Sequence, residues 1–216
     1  METKDFVKKE WVLLVLMIIP FIMIALFWDD FPAKIPTHWN FSGEIDQYTS
    51  KEIGLFLVPG LNIIFYIMFY LLPRIDPRKG NYKLFRTSYN ILRHSIIGFL
   101  FLMFILLFFS GLGHELNIGF IVINLTLILF LIIGNFMGKI KSNYFLGIRT
   151  PWTLENPDNW NKTHRLAGKI WVWLSLIMII LSFLIPMNIL TIVYFIYIAI
   201  IVLVPFVYSY ILHVKK

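Results

Sequence analysis

The chain alternates long apolar runs with short polar ones, and that alternation predicts its architecture. Six runs hold no Asp, Glu, Lys or Arg: Trp11–Trp28, Ile53–Leu72, Ser95–Leu112, Ile118–Gly138, Ile170–Met187 and Ile189–Leu212. Each has the roughly 18 or more residues needed to cross a bilayer as a helix, and a charge at the bilayer centre would cost about 2.5–3.5 kcal/mol. The expected fold is therefore all-α: a polytopic integral membrane protein with six transmembrane helices. The 29–52 loop, the 73–93 connection and the 139–169 loop separate them, with tight turns at 113–117 and at Pro186-Met187-Asn188. Pro59-Gly60 should break the second span gently. The 139–169 loop is the longest polar segment, and the apolar runs read as the scaffold around it.

Two polar stretches read as interfacial amphipathic helices. In Asn81–Arg93, Tyr82, Phe85, Tyr89 and Leu92 recur at helical spacing, with Lys83, Arg86, Asn90 and Arg93 on another face. That pattern predicts a basic helix lying on anionic lipid. The second starts at Asn156, a good N-cap, followed by Pro157 at the first helical position and Asp158 in the first turn. From there Trp160, His164, Ala167 and Trp171 share one face; Asp158, Lys162, Arg165 and Lys169 share another. This helix should run unbroken into the fifth span.

Composition changes the picture in one respect. The chain is 59% hydrophobic and only 14% charged, with a mean hydropathy of +0.78, too apolar for a soluble domain. The net charge of +7 fits loops that hold topology rather than nucleic acid. Of the 19 Lys and Arg, all but Lys34 and Lys51 fall on one face of the six-span plan. The positive-inside rule puts that face, both termini and the 139–169 loop in the cytoplasm, and the 29–52 loop outside. The N-terminal run is too long for a signal-peptide h-region and lacks a cleavage site, so it reads as a retained span. There is no cysteine, which excludes disulfides and thiolate chemistry.

Candidate chemistry is sparse. His164, between two Trp residues, is a titratable group or an amphipathic side chain packed at headgroup level; helix geometry favours packing. Arg149 precedes Thr150-Pro151-Trp152 and can bind a carboxylate, bind a lipid phosphate, or serve as one more inner-face charge. In the outer loop, Pro32 and Pro36 stiffen the approach to His38-Trp39-Asn40, Ser42-Gly43 reads as a turn, and Glu44 and Asp46 follow. His38 with Glu44 or Asp46, or with His114 and Glu115, is a weak zinc pattern without the tight spacing of a real site, and no metal or other cofactor is expected. There is no phosphate-binding loop, nucleophile elbow or poised carboxylate pair, so an enzyme is not indicated. The spans carry only Asn, Ser and Thr, among them Asn62, Ser110, Asn124, Asn135, Ser175 and Ser182, more suited to holding helices together than to moving protons.

Against that background NYFLGIRTPWTL at 143–154, followed by Trp160, Thr163-His164-Arg165 and Gly168, resembles the signature of the SdpI-like family of bacterial membrane immunity proteins. FPAKIPTHWNFSGEIDQYTSK at 31–51 looks like the N-terminal domain that often accompanies them. The resemblance divides the chain into 1–90, with the outer loop and two spans, and 91–216, the SdpI-like part with four spans, expected to form one compact membrane domain. It implies protection against a secreted, membrane-active peptide toxin of sporulation-delaying type, bound or neutralised at the outer face. It also implies an alternative role, recruitment of a cytosolic transcriptional repressor to the inner loops. A small-molecule or lipid transporter is the weakest reading, and no direct contact with nucleic acid is expected. The implied inner cluster is Asn143, Gly147, Arg149, Thr150, Trp152, Trp160, Thr163, His164 and Gly168; the outer residues are His38, Trp39, Asn40, Gly43 and Asp46.

Overall fold

The structure, a computed structural model, describes residues 3–40 and 43–215. Ser42 of the expected turn and Lys216 lie outside the described residues, as do the side chains of Lys4, Lys8 and Lys9. Among the described residues seven α-helices form: α1 (Thr3–Leu26), α2 (Lys51–Ile75), α3 (Arg86–Gly111), α4 (Ile118–Met137), α5 (Pro151–Glu155), α6 (Pro157–Ser182) and α7 (Met187–Val214). Five of them, α2, α3, α4, α6 and α7, are long and apolar enough to cross a membrane, and Glu10–Leu26 of α1 is a shorter apolar helix. This is an all-α, multi-pass membrane protein.

Two compact units divide the chain: residues 1–68 with 94–122, and residues 69–93 with 123–216. In the first, the polar loop is more ordered than its sequence announces. It opens with a 3-10 turn at Trp28–Asp30 and then forms a hairpin of β1 (Lys34–Trp39) and β2 (Ile45–Ser50). Lys34 pairs with Ser50 at the open end and Trp39 with Ile45 near the tip, and the register slips on both sides of His38. Pro36 donates no ladder hydrogen bond, and a proline inside a strand is tolerated beside such irregularities or at an edge. Thr37 and Thr49 join their hydroxyls across the pair at 2.8 Å.

The hairpin is anchored by its base. Phe31 and Ile35 are buried with Ile24, Leu55, Phe104, Leu107 and Phe108, each such side chain contributing about 1.5–3 kcal/mol. The helices make room for them. A Cβ on Gly54 would stand 2.8 Å from Ile35, and one on Gly111 would stand 2.9 Å from Phe31. Lys51 crosses back to donate to the Trp28 carbonyl at 2.9 Å and lies 4.5 Å over the Trp28 ring.

In the second unit, α6 packs on α7 and crosses α4. Trp171 Nε1 donates to the Ile201 carbonyl at 2.9 Å, Ser175 and Tyr197 share a hydrogen bond of 2.8 Å, and Ser182 donates to Asn124 Oδ1 at 2.9 Å. These polar side chains hold helices together, the role expected for them in apolar surroundings. α6 and α7 meet three residues earlier than expected. Ser182 ends α6, and Pro186 precedes Met187 as the cap of α7, which leaves Asn188 inside the helix. No break at Pro59-Gly60 interrupts α2.

The stretch expected to lie on lipid does something else. Lys79–Phe85 winds as a 3-10 helix and passes directly into α3 at Arg86. Tyr82, Phe85, Tyr89 and Leu92 do form one stripe, but it is buried in protein, and Arg93 of the basic face is buried too. The rings satisfy each other: Tyr82 lies 5.1 Å from Phe85 and 5.3 Å from Tyr89. Tyr89 also donates its hydroxyl to the Phe69 carbonyl at the end of α2. A buried Tyr hydroxyl needs a hydrogen-bond partner, and here the protein supplies it.

Candidate functional site

The polar segment between α4 and α6 folds around two side chains, Asn143 and His164. Asn143 is fully buried. Its Oδ1 accepts from the Phe145 and Leu146 amides at 2.9 and 2.6 Å, and its Nδ2 donates to the Lys141 and Leu146 carbonyls at 2.9 and 3.1 Å. One amide side chain thus satisfies four backbone groups and fixes the turn. Gly147 completes that turn at φ +97°, in the left-handed region.

His164 sits in α6 with no exposed surface. Its Nε2 accepts the Ile148 amide proton at 3.0 Å, so that nitrogen carries no proton. Its Nδ1 faces the Trp160 carbonyl at 2.8 Å and must donate to it. The imidazole is therefore the neutral Nδ1–H tautomer with both nitrogens engaged. It is stacked on Trp160, ring centroids 4.0 Å apart. Trp160 in turn donates to the Ile140 carbonyl at 2.8 Å. No ring nitrogen is left for acid–base work or for a metal, so this His ties the loop to the helix.

From Ile148 the chain enters α5. Thr150 is its N-cap, in a reciprocal capping box with Thr153, and Pro151 occupies the first turn. Asn156 then caps α6 through Asp158 and Asn159, as its sequence predicts. α5 is clamped on the C-terminal part of α7: Trp152 Nε1 donates to Ser209 Oγ at 2.6 Å, and the ring stacks on His213. Asn159 Nδ2 donates to the Ser209 carbonyl at 2.9 Å, and Thr163 donates to Asn159 Oδ1 at 3.0 Å. Gly168 serves the helix crossing, where a Cβ would meet the Gly134 carbonyl at 2.7 Å.

The structure thus brings Asn143, Gly147, Thr150, Trp160 and His164 into one knot, with Trp152 joining it to α7, Thr163 holding Asn159, which also reaches α7, and Gly168 at the α4 contact. Arg149 stands apart. It is exposed, with one donated bond, Nη1 to the Tyr144 carbonyl at 2.6 Å.

Sequence reasoning missed three residues that belong here. Asp76 is 1% exposed and accepts from the Arg78 amide at 2.7 Å, the Tyr82 hydroxyl at 3.0 Å and the Tyr144 amide at 3.0 Å. A buried carboxylate needs such donors. Arg78 donates to Ser142 Oγ and, at 2.8 Å, to the Leu154 carbonyl, with its guanidinium 4.9 Å from the Tyr144 ring centroid. Asn81 Nδ2 donates to the Ser142 carbonyl at 2.7 Å. The only sequence signal was a lone acid, Asp76, flanked by Arg74 and Arg78 at the end of an apolar run.

The outer-loop residues lie in the other unit, at the hairpin. His38 Nδ1 stands 2.5 Å from Asp46 Oδ1, both exposed. Asn40 Nδ2 donates to Glu44 Oε2 at 2.9 Å and its Oδ1 accepts the Glu44 amide at 3.0 Å. Gly43 takes φ +84° at the tip, and Trp39 is half-buried. No group of three or more His, Asp or Glu that would hold a metal is found among the described residues.

Comparison with known proteins matches both regions. The SdpI/YfhL protein family model matches residues 139–209, which take in the knot, α5, α6 and most of α7. A domain of unknown function (DUF1648) matches residues 15–63, from within α1 through the hairpin into α2. The chain is 30% identical over 177 residues to the immunity protein SdpI of Bacillus subtilis (strain 168), covering 82% of each. The chain belongs to the SdpI family. No solved structure matches it. Asp76, Arg78 and Asn81 fall outside both matched segments, yet their side chains hold the loop that opens the SdpI-family one.

Proposed function

We propose that the chain is a membrane immunity protein that protects its host against a secreted, membrane-active peptide toxin by binding it, without catalysis. The observation that carries this reading is the 30% identity to an immunity protein over 82% of both chains. In this proposal the hairpin faces outward and the 139–169 loop faces the cytoplasm with both termini, a topology that the distribution of Lys and Arg supports.

The test uses an immunity-deleted bacterium challenged with the sporulation-delaying peptide. Cells expressing this chain should survive, cells with empty vector should die, and a scrambled 38–51 segment should abolish survival at an equal membrane level. Death of cells expressing the intact chain contradicts the proposal. The cysteine-free sequence allows orientation to be read in the same strain. Gln47→Cys should label with an impermeant maleimide in intact cells, and Asp158→Cys only after lysis. The reverse pattern would invert the topology.

A second reading, repressor recruitment at the inner loop, is favoured by one observation: Arg149 and the Tyr144 ring are exposed on an otherwise tightly held loop. On that reading Arg149 offers a guanidinium to a partner's carboxylates. Arg149→Ala should then abolish co-sedimentation of a cytosolic protein with toxin-treated membranes. Unchanged co-sedimentation would remove Arg149 from that role.

A further inference from the structure

The first unit holds a cleft of about 440 Å³ between the hairpin tip and the turn joining α3 to α4. That volume lies within the roughly 300–1,000 Å³ of sites that take a ligand group. Its walls are of two kinds. Trp39, Ile45 and Leu116 supply apolar surface, while Glu44 and Glu115 bring carboxylates from the two sides. Both sides are shaped by glycines in the left-handed region, Gly43 at φ +84° and Gly113 at φ +87°.

Glu44 is not a loose surface acid. The two hydrogen bonds with Asn40 hold it at the tip and leave its other carboxylate oxygen to accept. Asp46, two residues along β2, is exposed and stands 2.5 Å from His38 Nδ1. The two lysines of the hairpin segment stand at its open end, away from the tip. Lys51 is bound to the Trp28 carbonyl, and Lys34 pairs with Ser50 at the open end of the hairpin. His114 also lines the cleft, with its ring held edge-on to Phe109 at 5.5 Å. Carboxylates gathered over an aromatic and aliphatic floor favour a positive group carried beside apolar ones.

We propose that this cleft is the recognition pocket for the toxin and that it takes a Lys or Arg side chain of the peptide together with an adjacent apolar residue. The proposal rests on the immunity reading and names the place and chemistry of recognition. Charge supplies approach and register, and Trp39 with Leu116 supplies contact area.

The test uses the full-length protein in lipid nanodiscs with fluorescently labelled synthetic sporulation-delaying peptide, beside survival of cells carrying the same variants. Glu115 is exposed in a turn, so Glu115→Gln and Glu115→Lys should leave folding unchanged. Glu115→Gln should weaken binding several-fold and Glu115→Lys at least tenfold, with survival falling in the same order. Raising salt from 50 to 500 mM should weaken wild-type binding, as expected for screened surface charge. Leu116→Trp, which fills the cleft without changing charge, should also weaken binding at least tenfold. If the wild type binds and protects while Glu115→Lys and Leu116→Trp do so equally well, the pocket is elsewhere and the immunity reading stands. If the wild type neither binds nor protects, both are overturned.

Discussion

Gly147→Ala should cost the protein on the order of 2–5 kcal/mol, the largest effect expected of any single methyl group in this chain. Two penalties combine. At φ +97° an L-residue with a Cβ is strained by about 1–2 kcal/mol. The new Cβ would also stand 2.3 Å from His164 Nε2, so the ring must leave, and the Ile148 amide loses its only acceptor from that ring. An unsatisfied buried donor costs about 1–3 kcal/mol. Thermal unfolding in detergent micelles should fall by about 4–20 °C, from roughly 2–4 °C per kcal/mol at this chain length. Gly43→Ala is the control. Its φ is also in the left-handed region, +84°, but nothing lies within 4 Å of the added Cβ, so only the strain should appear. Equal shifts for the two variants would show that the contact with His164 contributes nothing.

Gly168→Val should separate α4 from α6. A Cβ there meets the Gly134 carbonyl oxygen at 2.7 Å and Met137 Cβ at 3.4 Å, and the nearest obstacle is backbone, which cannot rotate aside. In lipid there is no hydrophobic gain to hold two helices together at a distance, so close backbone approach is itself the source of association. Overpacking of this kind costs about 1–3 kcal/mol or more. The readable consequence is exposure of the loop that follows α4: trypsin should cut at Lys139 and Lys141 several-fold faster than in the wild type. Gly134→Val, whose Cβ would meet Trp171 Cβ at 2.8 Å, should behave alike. Gly98→Val, with nothing within 4 Å of a Cβ at that position, should not. Unchanged cleavage in Gly168→Val would mean that the crossing does not position the loop.

Much of this arrangement was legible from the chain. Uncharged runs mark the apolar helices because insertion penalises charge so heavily, and Asn156-Pro157-Asp158 marks the start of α6 because capping is local. The face of Trp160, His164 and Ala167 follows from helical spacing alone. The hairpin was not legible. Pro36 and the register slips at His38 break the alternation that identifies a strand, and β2 is almost wholly exposed, so no buried face repeats at a period of two. The aromatic stripe of Tyr82, Phe85 and Tyr89 is legible as a face, but spacing does not say whether lipid or protein covers it, and here protein does. Asp76 was missed for a deeper reason. Its partner Tyr144 lies 68 residues away, and nothing local says that a carboxylate after an apolar helix will receive a loop from beyond two further spans.

The knot also alters how the family motif is understood. Asn143, Gly147, Thr150, Trp160, Thr163 and His164 spend their polar atoms or their space on the protein itself, which leaves Arg149, beside the exposed ring of Tyr144, as the charged side chain of the motif that reaches solvent. We propose that the buried members build the loop and that Arg149 is its contact.

That division is tested most directly by His164→Ala and Arg149→Ala measured side by side, at matched membrane levels, for thermal unfolding and for survival under toxin. His164→Ala should lower the unfolding temperature by several degrees and lose protection with it, because the Ile148 amide and the Trp160 carbonyl both lose their partner. Arg149→Ala should unfold within about 1 °C of the wild type and still lose protection or partner recruitment. If Arg149→Ala is destabilised as strongly as His164→Ala, or if His164→Ala keeps full stability while losing protection, the assignment of scaffold and contact is wrong.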